Sequence, residues 1–312
     1  MNTDMKTPAG PAVPGGVTRS KFLDYIELMK PELTSLSALT TLCGFYLATK
    51  GAFDWWLFVH TALGTLCVGG GAGALNQYME RYYDAMMKRT ERRPLPAGRL
   101  NPVAVLVFGT VLSIVGMFQL TFLVNPLTGF LAFITFTTYL FLYTPLKRVT
   151  PVSTFVGGIP GALPPMMGWT AVRNEITIES WVLFAILFCW QMPHFFSLAW
   201  MYRKDYGRAG FRILTVDDHA GKKTGRQILI YCIALLPVTL APTLLGMTGM
   251  LSVIGAAVLG IAFLSFGIMV WRHSERPGAE STAQVNFYSR RLFFASLVYL
   301  PALMILLSMD KV

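Results

Sequence analysis

Asn76, Glu80 and Asp84 stand four residues apart in the string Asn76-Gln77-Tyr78-Met79-Glu80-Arg81-Tyr82-Tyr83-Asp84. On a continuing helix, positions i, i+4 and i+8 fall in one row. Two carboxylates and an amide in a row offer oxygen ligands to a hard cation such as Mg²⁺, which keeps waters and bridges carboxylates to substrate phosphates. Lys88, Arg89, Arg92 and Arg93 follow at once, and their donors suit the phosphate oxygens themselves. The pattern therefore points to metal-assisted handling of a phosphorylated substrate. The alternative is a solvated helix end followed by an ordinary basic loop. Acids held at a membrane face in the chain's most basic neighbourhood favour the functional reading. On that reading the row lies on a hydrated face, where neutralising one acid costs little stability.

A second mixed string is Tyr202-Arg203-Lys204-Asp205-Tyr206-Gly207-Arg208, with Asp217, Asp218 and His219 downstream. Asp205 by itself is as readily structural as functional, and Asp217 and Asp218 read first as loop caps. His194 is the one histidine deep within an apolar run. It is either a hydrogen-bonded core residue or a ligand, and His60, near the end of another run, competes for that role. Cys43, Cys67, Cys189 and Cys232 occur singly, without a CxxC pair, and read as small buried apolar residues.

The elements that position these residues must lie in lipid. The hydrophobic fraction is 54%, the charged fraction 13% and the mean hydropathy +0.53, whereas a soluble domain carries about 25% charged residues. The apolar residues come in blocks close to the roughly 20 needed to cross hydrocarbon. The fold class is accordingly all-α, a polytopic transmembrane helical bundle. Nine spans are expected, near 33–50, 55–79, 102–123, 126–144, 152–172, 178–202, 226–246, 249–271 and 288–308, with eight as the fallback. The first is short and rich in Thr and Ser, and the fifth is broken by Gly157, Gly158, Pro160, Pro164 and Pro165. Gly69, Gly70, Gly71 and Gly73 would let a neighbouring helix approach the Asn76 helix closely.

With the N-terminus placed inside, 23 of the 26 Lys and Arg fall on inner loops and 3 outside, as the positive-inside rule requires. The net charge of +10 is then topology, and no nucleic acid is needed to explain it. The spans before the two mixed strings share an orientation, which suggests two four-helix halves whose loops face each other over one cavity. Residues 1–24 are expected to be a disordered cytoplasmic tail and 25–312 the transmembrane domain. The tail lacks the short apolar core of a signal peptide and the basic character of a mitochondrial presequence. A bacterial cytoplasmic membrane is therefore expected in preference to the mitochondrial inner membrane. A transporter would carry polar residues at mid-span, and acids are absent from the span interiors apart from their inner ends.

Asn76-x₃-Glu80-x₃-Asp84 followed by Arg92-Arg93-Pro94-Leu95 resembles the first acidic motif of the UbiA-type intramembrane prenyltransferases. Met29-Lys30-Pro31, Tyr143-Thr144-Pro145-Leu146-Lys147-Arg148 and Gly157-Gly158-Ile159-Pro160-Gly161 look like the heme-farnesylating branch of that family. So do Trp190-Gln191-Met192-Pro193-His194-Phe195 and Trp200-Met201-Tyr202-Arg203-Lys204-Asp205-Tyr206. The family's second motif is of DxxxD type, where this chain has Tyr202-x₂-Asp205-Tyr206. That departure favours the heme branch and weakens the case for a second carboxylate-bound Mg²⁺.

The resemblance implies transfer of farnesyl from farnesyl diphosphate to a vinyl group of heme B, with addition of water, and Mg²⁺ as cofactor. It implies catalytic roles for Asn76, Glu80, Asp84, Tyr202 and Asp205, the first three also holding the metal. Substrate binding would fall to Lys88, Arg92, Arg93, Tyr143, Lys147, Arg148, His194 and Arg208. Phe195, Phe196, Trp200, Tyr139 and Tyr143 are candidates to stabilise an allylic cation through their ring faces, or are simply packing residues. The lipid bilayer is the surrounding medium, and a heme A synthase or terminal oxidase assembly proteins are candidate partners. Two competing readings are a prenyltransferase of an aromatic acid or quinone precursor and a non-catalytic heme-binding assembly factor.

Overall fold

Several helices begin where the sequence supplies a cap. Asn101 accepts from the amides of Val103 and Ala104 with Pro102 in the first helical position, and Asn125 accepts from Thr128 with Pro126 behind it. Proline lacks the N–H that would be orphaned there, and its fixed φ suits a first turn. Asp54 caps the next most prominent start by accepting from Leu57 at 2.9 Å.

A computed structural model describes residues 20–276 and 278–312. In chain order the helices are α1 (Lys21–Leu28), α2 (Pro31–Ala48), α3 (Trp55–Asp84), α4 (Pro102–Phe118) and α5 (Pro126–Thr137). They continue with α6 (Thr144–Leu146), α7 (Ser153–Arg173), α8 (Ile178–Met201), α9 (Arg203–Arg208) and α10 (Leu214–Asp217). The last three are α11 (Lys222–Leu244), α12 (Met250–Ser274) and α13 (Ala279–Met309). Wider π-helical turns extend α4 through Gln119–Val124 and join α5 to α6 through Thr138–Tyr143. Among the described residues there are thus nine long rods, in the places the apolar blocks indicate. Seven of them are long and apolar enough to cross a membrane by length and composition. The chain is an integral membrane protein. The tail expected to be disordered lies outside the described residues over 1–19, and residues 21–24 instead open α1.

The two rods that fall short of that test are α2 and α7, and the fold gives the reason. A helix enclosed by other helices need not be apolar toward lipid. Most of α7 is buried, from Pro164 through Ala171 without a break. It meets α2 so closely that a Cβ on Gly168 would lie 1.7 Å from the Thr41 carbonyl, and one on Gly44 would lie 2.1 Å from the Pro165 carbonyl. Small residues replace hydrophobic drive as the means of helix association in lipid. The lipid-facing helices show the opposite pattern. On α4, Val103, Val107, Val111, Ile114 and Phe118 form an exposed apolar stripe at helical spacing.

The glycine run on α3 divides its partners. Gly71 receives α4, where a Cβ would meet the Gly109 carbonyl at 2.7 Å, while Gly70 and Gly73 receive the turn between α1 and α2. That turn is held in an unusual conformation, with Lys30 at φ 50°. A residue before proline is discouraged from the right-handed α region, and a non-glycine at positive φ is a local strain held by its surroundings.

Candidate functional site

α3 remains an unbroken helix to Asp84, so the i, i+4, i+8 row is realised. It does not face bulk water. Asn76 is 1% exposed, Glu80 6% and Asp84 1%. The expectation of a hydrated face is corrected here: α7 and the loops after α3, α6 and α9 close over the row. All three side chains line a cavity of about 370 Å³.

Each member of the row meets a cation from a different part of the chain. Lys30 donates to Asn76 Oδ1 at 2.6 Å, Lys147 to Glu80 Oε1 at 2.8 Å and Arg93 to Asp84 Oδ2 at 2.8 Å. Asn76 in turn donates to Thr144 Oγ1 at 3.0 Å, which fixes its amide orientation. Burial and the neighbouring Arg93 guanidinium push the Lys30 ammonium down to about 7. Burial works most strongly against the Lys147 charge, but Glu80, Tyr143 and Tyr139 together outweigh it and hold that ammonium above the ordinary lysine value. The π-helical turn before α6 carries Tyr139 and Tyr143 to the same cavity. Their rings are 5.8 Å apart, and Lys147 Nζ sits 4.4 Å from the centre of the Tyr143 ring.

A divalent cation fits this donor set in a particular way. Asp84 Oδ1 is buried without a hydrogen-bond partner, an orphan acceptor that a metal ion would satisfy. Among the described residues no three His, Cys, Asp or Glu side chains converge into a cage. Asn76, Glu80 and Asp84 therefore suit an ion that keeps water and takes its remaining ligands from a phosphate, as Mg²⁺ does.

The basic loop sorts its side chains. Arg93 and Arg89 line the cavity, and Arg89 lies over the rings of Tyr202 at 5.0 Å and Tyr206 at 4.5 Å. Lys88 and Arg92 are exposed and do not line it. Tyr143 and Lys147 do line it, whereas Arg148 is exposed and lies over the Tyr83 ring at 4.3 Å.

The second mixed string behaves differently from its sequence reading. The loops after α3 and α8 do meet, through Met87, Ala209 and Phe211 packed with Tyr83 and Tyr206. However, α8 ends at Met201, and the chain restarts as α9. Asp205 pairs with Arg208 within that single turn and a half. Tyr202 and Asp205 line a separate cavity with Asn286 and Arg290, and exposed Arg208 lines neither. From this string it is Tyr206 that reaches the main cavity. Asp218 caps α11 by accepting from Thr224 N and Oγ1, both at 2.8 Å, as its loop-cap reading anticipates.

The far end of the cavity is aromatic. Trp190, Gln191, His194 and Phe195 line it, while Phe196 and Trp200 are buried elsewhere in the core. Their expected part in stabilising a cation is corrected by the helix rotation that turns them away. His194 is 8% exposed and stacks with Trp190 (5.3 Å) and with Phe293 (4.8 Å), with Nδ1 2.7 Å from Ser296 Oγ. His60 instead contacts Gln119 at 2.9 Å and lines no part of this cavity. The four cysteines are free, three buried and Cys67 half-buried.

Lys30, Gln191, Tyr206 and Phe211 line the site without having been singled out from sequence, and Arg89, named there only as one of the basic run, lines it too. Lys30 and Gln191 stand in the strings that carry the family resemblance, which was the available signal. Arg89 stands in the basic run, where only the loop's path distinguishes it from Lys88.

Residues 37–298 match the model of the UbiA prenyltransferase family. A protein of Solibacter usitatus named protoheme IX farnesyltransferase is 45% identical over 92% of this chain and 98% of its own length. One of the same name from Koribacter versatilis is 40% identical over 96% and 97%. A solved structure of digeranylgeranylglyceryl phosphate synthase superposes with TM-score 0.73 at 16% identity, covering 93% of this chain and 99% of that one. A UbiA homolog from Archaeoglobus fulgidus bound to GPP and Mg²⁺ superposes with TM-score 0.62 at 13% identity, covering 91% and 99%. With most of its length matched by the family model and by these relatives, the chain belongs to the UbiA prenyltransferase family.

Proposed function

We propose that this protein transfers the farnesyl group of farnesyl diphosphate to a vinyl group of heme B, with addition of water, giving heme O. The observation that carries the reading is one cavity with two chemically opposite ends. Carboxylates and cations crowd one end, and a histidine stacked with two aromatic rings lines the other. A diphosphate head needs the first and a porphyrin needs the second. The relatives' names favour heme over an aromatic acid as the acceptor.

Arg93, Lys147, Lys30 and Arg89 would hold the diphosphate and take up the charge that develops on it as the allylic C–O bond breaks. Mg²⁺, held by Asn76, Glu80 and Asp84, supplies further positive charge to the departing oxygens when bound. Tyr139 and Tyr143 stand beside these cations, where ring faces can support the allylic carbon. Thr34, Met167 and Pro164 also line the cavity, and this wall would keep water from the cation until the new bond forms. Tyr202, Asp205 and Arg208 support the site from outside the cavity through the loop contacts of Tyr206 and Arg89.

The loops after α3, α6 and α9 lie at one end of the bundle, since Arg212 N donates to the Lys147 carbonyl at 2.8 Å and Arg89 covers Tyr202. These loops carry the basic residues, which supports a cytoplasmic N-terminus and active end in a bacterial inner membrane. A heme A synthase or terminal oxidase assembly proteins would receive the product.

Purified protein is to be given farnesyl diphosphate and Mg²⁺ with either heme B or 4-hydroxybenzoate. Mass spectrometry should find a hydroxyethylfarnesyl heme in the first reaction and no prenylated product in the second. A prenylated benzoate would establish the other acceptor class, and binding of heme without any product would indicate an assembly factor.

A further inference from the structure

We infer that Ser296 is a positioning residue that holds His194 as its Nδ1–H tautomer, so that Nε2 is presented to the cavity as a ligand for the porphyrin iron. The inference rests on the proposed use of heme as acceptor substrate. The protons available to the Ser296–His194 pair decide the tautomer. Ser296 Oγ lies 2.6 Å from the Phe293 carbonyl, an oxygen that can only accept, so the single hydroxyl proton is committed there. The same Oγ lies 2.7 Å from His194 Nδ1. With its proton already given, the hydroxyl must accept in this second contact, and His194 Nδ1 must donate. A neutral imidazole that donates from Nδ1 has its lone pair on Nε2.

Three further contacts fix where that lone pair goes. Trp190 and Phe293 both stack on the ring, at interplanar angles of 21° and 28°, which holds its plane. Trp190 Nε1 donates to the Ser296 carbonyl at 3.0 Å, so one residue of α13 anchors both members of the Trp190–His194 pair on α8. Nδ1 is tethered toward α13, and the opposite edge of the ring carries Nε2. His194 lines the cavity, and no hydrogen bond to Nε2 is present among the described residues. Histidines that bind metals commonly donate their other ring nitrogen to a neighbouring acceptor, which sets tautomer and orientation. Here Ser296, itself polarised by the Phe293 carbonyl, has that place. Iron held by Nε2 would fix the porphyrin in the apolar end of the cavity, leaving a vinyl edge free to meet the farnesyl chain.

The test uses the purified full chain in detergent, titrated with heme B and followed by absorption spectroscopy, with farnesyl diphosphate binding measured in parallel. Wild-type protein should give the spectrum of histidine-ligated heme. Ser296→Ala should weaken heme binding about 10–100-fold, the range for losing the partner of a metal-bound histidine, with farnesyl diphosphate affinity unchanged. His194→Gly should lose the histidine-ligated spectrum, and added imidazole should restore it. Ser296→Thr, which keeps the hydroxyl, should retain the wild-type spectrum. Unchanged farnesyl diphosphate binding certifies that a variant is folded. The inference is overturned if Ser296→Ala binds heme like wild type, or if His194→Gly keeps the wild-type spectrum. In either case a wild-type enzyme that still makes farnesylated heme leaves the proposed function standing. A wild-type protein that neither binds heme nor farnesylates it sinks both.

Discussion

The loops after α3 and after α8 both combine acids with arginines at the same end of the bundle, yet they hold their acids differently. Glu80 and Asp84 project from an unbroken helix and are paired with Lys147, which arrives from the loop after α6, and with Arg93, from the loop after α3. Asp205 projects from a helix of six residues and is paired with Arg208, three residues on. A carboxylate satisfied by its own turn needs nothing beyond that turn. One satisfied by cations from separate elements, with an oxygen left over as at Asp84 Oδ1, marks a place where the fold has collected charge. The break of α8 at Tyr202 is what separates the two cases, because it turns Asp205 out of the cavity while Tyr206 stays in.

The comparison breaks most plainly at the acids themselves. Glu80→Gln and Asp84→Asn should each abolish turnover, as should chelation of divalent metal in the wild-type enzyme. Because each removes one partner of a buried ion pair, each should also cost about 3–5 kcal/mol of stability, read as a fall in the unfolding midpoint of the solubilised protein. Normal turnover in either variant would end the proposed role of the row. Next in size is a contrast within the basic loop. Arg89→Ala should raise the KM for farnesyl diphosphate about tenfold, as expected for losing a charge-assisted contact of about 1.5 kcal/mol, and Arg92→Ala should leave it near wild type. Equal effects would mean that the loop rearranges around substrate. The smallest effect belongs to Asp205→Asn. A local, partly exposed pair is worth up to about 1 kcal/mol, so steady-state turnover should stay within about fivefold of wild type. A loss as deep as that of Glu80→Gln would make the two acidic loops equivalent after all.

Much of this was legible in the residues. All nine rods were legible as long blocks, seven of them because lipid imposes the same apolar requirement on each, whereas α2 and α7 fall short of it. The Asn76 row was legible because α3 does not break before Asp84, so helical spacing holds. The end of α8 at Met201 agrees with the expected span, but spacing could not show that the chain restarts at once as α9 and leaves Asp205 outside the main cavity. Nor could it separate Arg89 and Arg93 from Lys88 and Arg92, which alternate along an irregular loop whose turns decide direction. The burial of the row was not legible for a related reason. Glu80 is covered by Lys147, 67 residues on, while Asp84 is covered by Arg93 from its own following loop. Lys30 shows the same limit, for its reach to Asn76 depends on a left-handed residue before Pro31.

The central claim is that one cavity divides its labour, with the diphosphate at the charged end and the porphyrin at the aromatic end. The most direct test measures both ligands against two variants, Arg93→Lys and His194→Ala. Lysine cannot reproduce the planar, directional donor pair of arginine. Arg93→Lys should therefore weaken farnesyl diphosphate binding while heme affinity and spectrum stay those of wild type. His194→Ala should alter heme affinity and spectrum while farnesyl diphosphate binding is preserved. Equal loss of both ligands in both variants would contradict the divided cavity and make these two residues structural.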